Sequence, residues 1–399
     1  MLLGGIRYLL PVIEEAHKLG VHVITADYLP DNIAHKFSDE YVNVSIIDRD
    51  AVLKIAMEKQ IDGIMSFGVD PGVVTAAYVS EKMGLPTPPL RSVEILQNKV
   101  KFRDFLLDNG FNCPWHKGYR RMVDAIVDYE NGVLKLPAFV KPVDSAGSKG
   151  CGRANDREEL GRAIDAALSE SLSGGFIIEE YLELRGNQSS SDCFSLNNEL
   201  VYFTLGSQFF DLKSPNPVAP VGNIWPSGMP ILAQAELRKE LQRLVKLLNL
   251  GTTIMNMDAR IATDGKVYIM EVSPRGGGNC ISEVLRYATK QDLIKASVLA
   301  ALGRKNEILL GTPEYDGVWA YYVMHSNVPG RVAASAEIDS DFKRRHVIKL
   351  NECFMPGDCV GAFTGANKSL GTVILRFDNY QEAKMAINDP SQWMNIKIV

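Results

Sequence analysis

Two acidic residues on either side of a tight turn carry the sharpest chemical signal in the chain. Asp258 lies in the run TTIMNMDARI and Glu271 in VYIMEVS, with Asp264–Gly265 between them. An Asp-Gly turn favours antiparallel pairing of its flanking strands, which sets the two carboxylates across from one another. Carboxylates about 4 Å apart repel unless a cation lies between them, and magnesium bridging phosphates is a suitable hard cation. An exposed acidic pair on a sheet would use the same residues. Here, however, Ile254, Met255, Met257, Ile269, Met270 and Val272 crowd around them, and acids among buried residues need a reason. Directly after Glu271 comes SPRGGG. The planar fork of Arg275 suits a carboxylate or a transferring phosphoryl group. Gly276–Gly278 permit close backbone approach to a ligand, or simply a loose turn.

A second constellation is KPVDSAGSKGCGR, Lys141 to Arg153. A predicted strand fixes Lys141 at its end. The loop that follows offers glycine-freed amides for phosphate oxygens, with Lys141 and Lys149 as point charges. A flexible surface loop would look similar, and the Walker A spacing is absent. Gly4–Gly5 follow a first short apolar run, the place where parallel sheets often bind ligands, but no dinucleotide fingerprint is present. Asp27, ending the next run, is compatible with a ribose contact. The six histidines form no H-E-x-x-H, and G-x-S-x-G is absent.

The elements that must hold these residues can be read from periodicity. Strand–helix alternation over residues 1–85 predicts a parallel α/β sheet, closed by the prolines at 86–89. A single helix is expected over 92–109, a strand at 138–141, a helix at 156–170 and a strand at 176–182. Two strands flank Asn197–Asn198. Residues 211–230, rich in Pro, Gly and Asn, read as a loop, and 231–249 as a long helix. From 318 onward the pattern is mostly β. The fold class is therefore α/β and α+β. The chain has 399 residues, 46% of them hydrophobic, and a net charge of -5. That length predicts two to four domains. The mild acidity argues against nucleic acid as partner. No apolar run reaches the roughly 20 residues that span a bilayer, and no signal-peptide pattern is seen. Six scattered cysteines without tight pairs read as free thiols of a reducing compartment, so the cytoplasm is the expected location.

Taken in order, Lys99, Lys141, the 143–152 loop, IIEEYL, Asp258 and EVSPR resemble the signature of the ATP-grasp superfamily. The likeness covers most of the chain and is nearest the biotin carboxylase and glycinamide ribonucleotide synthetase branch. It implies a pre-ATP-grasp α/β domain at 1–90, an ATP-grasp domain at 91–305 divided into 91–175 and 176–305, and a β-rich closing domain at 306–399. It implies ATP with magnesium or manganese, small-molecule carboxylate and nucleophile substrates, no membrane partner, and is compatible with a homodimer. By resemblance Lys99 and Lys141 contact the nucleotide, and the loop with Ser145, Ser148, Lys149 and Gly150 forms the lid over the β- and γ-phosphates. Glu179, Glu180, Tyr181 and Leu182 form the adenine hinge, and Gln188 stands where a ribose-binding glutamate is usual. Asp258 and Glu271 hold the metal, with Ser273 in place of the usual asparagine. Arg275, Lys141 and Glu271 are the catalytic set, Arg275 stabilising the phosphorylated intermediate. The implied reaction is carboxylate–amine ligation through an acyl phosphate, releasing ADP and phosphate. A bicarbonate-using carboxylase or carbamoyl-phosphate-like subunit, a nucleotide-binding regulator and an oxidoreductase are the alternatives.

Overall fold

The structure is a computed structural model that describes residues 1–399. At the N-terminus four parallel strands lie in the order Glu40–Asn43, Ile24–Asp27, Leu2–Leu3, Met65–Ser66. Helices Leu10–Lys18, Arg49–Glu58 and Val73–Met83 alternate with them in the chain. The apolar run at 61–67 has the composition of a full strand. Only Met65–Ser66 pairs, although Ile61, Ile64 and Phe67 are still buried.

The helix expected over 92–109 is two helices, Leu90–Gln97 and Lys99–Asp108. Asn98 breaks it. Its backbone is extended (φ -118°, ψ 113°), and its side-chain oxygen accepts from the amides of Val100 and Lys101, both at 3.1 Å. This is the preferred chemistry of a helix N-cap. The break makes Lys99 the first residue of a helix, with its amide donating to Val143 O at 2.9 Å.

Next comes an antiparallel sheet in the order His116–Tyr119, Phe176–Glu180, Ala138–Pro142, Gly152–Ala154. Helices Met122–Glu130 and Arg157–Glu170 supply Ala125, Leu160, Ile164 and Ala167 to its core.

The rest of the molecule is organised by one nine-stranded sheet. Its main path runs Val267–Ser273, Thr253–Ile261, Ser189–Leu196, Gly206–Phe210, Pro220–Trp225, Val318–Met324, Gly371–Phe377, Val347–Glu352, with Glu199–Tyr202 paired to Ser189–Leu196. One expectation changes here. The supposed loop 211–230 contains Pro220–Trp225, a largely buried strand. Its proline sits at the first position, where a missing amide is tolerated. The long strands after residue 305 extend the same sheet, Val318–Met324 pairing directly with Pro220–Trp225, while Gly330–Arg331 with Cys359–Val360 and Glu337–Ile338 with Met394–Asn395 form two small sheets of their own. Helix Ile231–Leu247 packs Leu237, Leu241, Leu244 and Val245 against Met255, Met257, Ala259 and Ile261 of the hairpin, a helical stripe meeting a period-two face. No helix is long and apolar enough to cross a membrane.

Because the sheet is continuous, a cavity far from the hairpin should weaken the whole unit. Leu375→Ala empties a fully buried site in Gly371–Phe377, and a loss of about 2–5 kcal/mol is expected in urea unfolding. The signals of the C-terminal strands and of the Asp258 hairpin should shift together. An unchanged hairpin transition would contradict the coupling.

Candidate functional site

The hairpin Thr253–Ile261/Val267–Ser273 sets the centre of the site. Ala259 pairs with Ile269, but Asp258 pairs with Glu271, so Met270 is an extra residue in the ladder. This is a β-bulge, a device that re-aims side chains. In an uninterrupted ladder Asp258 would face Met270. With the bulge, Asp258 and Glu271 are direct cross-strand partners. On the first strand Asn256, Asp258 and Arg260 share one half-exposed face, and Met255, Met257 and Ala259 fill the core behind it. Burial, then the nearby Glu271, pushes the Asp258 carboxyl up to about 6. A cation between the two acids would relieve that repulsion.

Lys99 faces Glu271 from the neighbouring helix, and Lys141 comes from the other sheet. Burial works against the Lys99 charge, but attraction from Glu271, ahead of Asp70 and Glu179, holds its pKa above the ordinary lysine value. Its Nζ donates to Ser145 O at 2.7 Å, gripping the root of the glycine loop. Lys141 Nζ donates to Glu179 at 2.7 Å, and Arg103 forms an ion pair with the same carboxylate at 2.9 Å. Glu179 is 1% exposed. Its side chain is thus committed inward, fixing Lys141, and is not free for a hinge contact. Glu180 N donates to Trp115 O at 2.8 Å and Tyr181 N to Pro137 O at 3.3 Å. Leu182 forms a small apolar cluster with Ala262, Tyr268 and Met270. Gln188 accepts from Arg260 and donates to Gln208 Oε1.

The loop expected to form the lid is anchored at both ends. Asp144 accepts from the amides of Leu172 and Ser173 at 3.0 and 2.8 Å. Ser148 has φ 59°, and its carbonyl accepts from Asn216 Nδ2 at 3.0 Å, while the same amide donates to Thr364 O at 2.9 Å. Gly150 has φ +63°, and a Cβ there would lie 2.6 Å from Ala166 O, so only glycine fits. Lys149 makes no ion pair.

Ser273 and Arg275 turn toward the N-terminal sheet. Ser273 accepts from Gln97 Nε2 at 2.8 Å and donates to Asp70 Oδ1 at 3.0 Å, so its hydroxyl is engaged away from Asp258. Arg275 holds Asp70 with both prongs, Nε to Oδ1 at 2.9 Å and Nη2 to Oδ2 at 2.6 Å, and its Nη1 donates to Gly276 O. Three of its five N–H groups are therefore used. Gly276 O accepts from Gly68 N at 3.1 Å, and a Cβ at Gly276 would lie 2.3 Å from the Phe67 ring. The glycine stretch thus packs at the carboxyl end of the parallel strands. Asp192, fully buried, accepts from Gly277 N at 2.8 Å, Ser282 Oγ at 2.5 Å and Asn256 Nδ2 at 3.0 Å.

Sequence reading passed over Asp70, Arg103, Asp192 and Asn216. Asp70 had a usable signal: the turn GVDPG directly after a parallel strand. Arg103 is one helical turn from Lys99. Asp192 and Asn216 carried no local signal, since their partners are distant in the chain.

Glu179 generates a pH prediction. Burial alone would raise its carboxyl, but Arg103 and Lys141 hold it down at about 2. A depressed acid contributes stability above its unfolded pKa, near 4.3, and loses it as pH falls toward the folded value. The stability gap between wild type and Glu179→Gln should be constant above about pH 4.5 and shrink between there and about pH 2, by on the order of 3 kcal/mol. Chemical unfolding across that window measures it; a gap that does not change would remove the ion pairs from the account.

Comparison with known proteins places this geometry. Residues 96–279 match the family model described as an ATP-grasp domain. A relative, the carbamoyl phosphate synthase large chain of Clostridium botulinum, is 23% identical over 92% of this chain, and the match covers 34% of that protein. The chain thus spans about a third of that relative's length. An L-amino acid ligase from Bacillus licheniformis superposes with a TM-score of 0.80 at 20% identity, covering 100% of this chain and 98% of the other. The biotin carboxylase domain of the Hydrogenobacter thermophilus 2-oxoglutarate carboxylase, solved with MgADP, ADP and bicarbonate, gives 0.75 at 15% identity, covering 100% and 90%. At these identities the solved structures establish a shared fold. Residues 96–279 are thus an ATP-grasp domain, set within an architecture that these solved structures share.

Proposed function

We propose that this protein is an ATP- and magnesium-dependent ligase that activates a carboxylate as an acyl phosphate for attack by an amine or a related nucleophile. The observation that carries the reading is the cross-strand pairing of Asp258 with Glu271, opposite Lys99 and Lys141 and beneath a glycine loop.

The residues present suit a magnesium nucleotide. Both carboxylates supply hard oxygen donors, and the raised Asp258 carboxyl marks a place short of positive charge. No group of three or more Asp, Glu, His or Cys side chains forms a closed cage. Two carboxylates completed by phosphate oxygens is how magnesium is commonly held beside nucleotides. The metal, when bound, would offset charge on the transferring phosphoryl group. Manganese has the same donor preference.

The protein's own groups then divide the work. Lys99 and Lys141 neutralise phosphate charge, and the Arg103–Glu179 pair keeps Lys141 from swinging away. Leu182, Tyr268 and Met270 give the flat base of adenine an apolar neighbour. A substrate carboxylate oxygen bonds to the γ-phosphorus as the bond to the β-phosphate oxygen breaks, and ADP leaves. The nucleophile then adds to the acyl carbon, loses its proton and expels phosphate. The lid, clamped by Asn216, keeps water from hydrolysing the acyl phosphate. The two free N–H groups of Arg275 are available to the activated carboxylate, with Asp70 fixing the plane of its guanidinium. The relatives named above support ligation or carboxylation at such a site, and whether ADP release requires an organic acid or bicarbonate separates the two.

ADP release measured over a mixed panel of acids, amines and bicarbonate tests the reading, which expects release only when an acid and a nucleophile are both present. Asp258→Asn and Glu271→Gln should each lower turnover by at least about a hundredfold with the fold intact, and the double variant should lose manganese binding in a titration followed by paramagnetic relaxation. Wild-type turnover and metal affinity in the double variant would sink the assignment. Lys141→Ala should weaken ATP more than adenosine, since its charge answers to phosphate; equal losses would point to a folding defect.

A further inference from the structure

Arg7 has no counter-charge. Arg103, Arg275 and Arg286, the other arginines packed inside the molecule on this side of the sheets, each have a carboxylate within ion-pair distance. Arg260 lacks one but lies on the nucleotide face beside Gln188. Arg7 is half-buried, makes no ion pair, and its Nε is enclosed without a hydrogen-bond partner. Its single hydrogen bond runs from Nη2 to Ser369 Oγ at 2.6 Å. The titratable groups around it are Tyr8, Cys280 and Cys353. Burial raises the pKa of all three, Cys280 to about 12, so none carries negative charge near neutral pH. A half-buried guanidinium with no anion beside it and an enclosed Nε without an acceptor is costly.

Its position gives that cost a use. Arg7 opens the short helical turn Arg7–Leu9 just beyond Gly4–Gly5, at the carboxyl end of Leu2–Leu3. Asp70, the partner of Arg275, lies beyond the adjacent strand Met65–Ser66. The two arginines therefore stand at the carboxyl edges of neighbouring parallel strands, where open α/β sheets receive ligands. Between them run Gly276–Gly278, with Gly276 against Phe67 and Gly278 against the Tyr8 ring, and Tyr8 Oη donates to Asn279 Oδ1 at 2.8 Å. The stretch between the two cations thus carries no side chain of its own before Asn279.

We propose that Arg7 recognises a second anionic group, a carboxylate or a phosphate, on the acid whose other carboxylate is activated beside Arg275, so that the site takes a diacid or a phosphorylated acid in preference to a simple monoacid. This rests on the ligase reading for which end of the acid reacts. Arginine's fork suits both oxyanions.

Calorimetric binding in the presence of magnesium and a non-hydrolysable ATP analogue tests it without requiring turnover. The matched pairs are butyrate against succinate, valerate against glutarate, and serine against O-phosphoserine. At least one dianionic member should bind about tenfold or more tightly than its counterpart, and whether succinate, glutarate or O-phosphoserine wins separates carboxylate from phosphate. Arg7→Met should erase that preference, and Arg7→Lys should retain part of it. Arg7→Gln, which keeps a donor for Ser369, should behave like Arg7→Met, so a folding defect in one variant does not decide the outcome. Equal binding within every pair, no binding by any member, or a preference that survives in folded Arg7→Met would overturn the proposal. A purely structural arginine would weaken all acids alike. Parallel ADP-release measurements judge the ligase reading separately: dianion-selective binding without ADP release would leave the anion site standing and sink the ligase, whereas ADP release without anion selectivity would do the reverse.

Discussion

Two carboxylates held as direct partners across a hairpin, with an apolar core behind them, impose a demand for positive charge that the rest of the structure is arranged around. The extra residue Met270 creates the confrontation between Asp258 and Glu271. The packing of helix Ile231–Leu247 against Met255 and Met257 keeps the hairpin from relaxing away from it. Lys99 answers Glu271 through space, and it can do so because Asn98 ends one helix and starts the next at the right point. Lys141 stands at the same cleft because Glu179, itself neutralised by Arg103, holds it by the ammonium. Electrostatic strain is thus concentrated at one place and supported by ordered pairs around it, the arrangement expected of a preorganised polar site.

The glycine stretch after Glu271 shows how such a site is tied to a neighbouring sheet. Gly276 bonds backbone to backbone with Gly68, Gly277 is held by Asp192, and Arg275 clasps Asp70. Each contact joins the hairpin to an element remote in sequence. Side chains at 276 and 277 would collide with Phe67, Asn256 and Asp192, so the glycines serve close packing as much as access.

Much of this was legible in local pattern. The Asp-Gly turn, the alternation of Met and polar residues, and the glycine loop after Lys141 announced the hairpin, its acids and the loop, because each depends on spacing within about twenty residues. The parallel N-terminal sheet was legible for the same reason. What escaped depended on distant partners or on backbone detail. Pro220–Trp225 looked like a loop since its Pro, Gly and Asn are poor strand formers, and only burial between Gly206–Phe210 and Val318–Met324 makes it a strand, a case of tertiary context overriding propensity. The bulge at Met270 leaves no mark in composition. The inward turn of Glu179 and the engagement of Ser273 by Asp70 follow from Arg103, Gln97 and Asp70, which lie 76 or more residues away.

The continuity of the large sheet has a consequence for how the protein comes to be folded. Pro220–Trp225 finds its outer neighbour in Val318–Met324, and that strand finds its own in Gly371–Phe377. During synthesis the hairpin bearing Asp258 and Glu271 emerges long before those strands do. Until they arrive, Pro220–Trp225 presents an open ladder of amides and carbonyls to whatever strand comes near. Such long-range pairings are slow to form, and a chain stalled at that stage is prone to pair with another copy of itself. The strands after residue 318 therefore close the edge that the sheet carrying the acids would otherwise leave open.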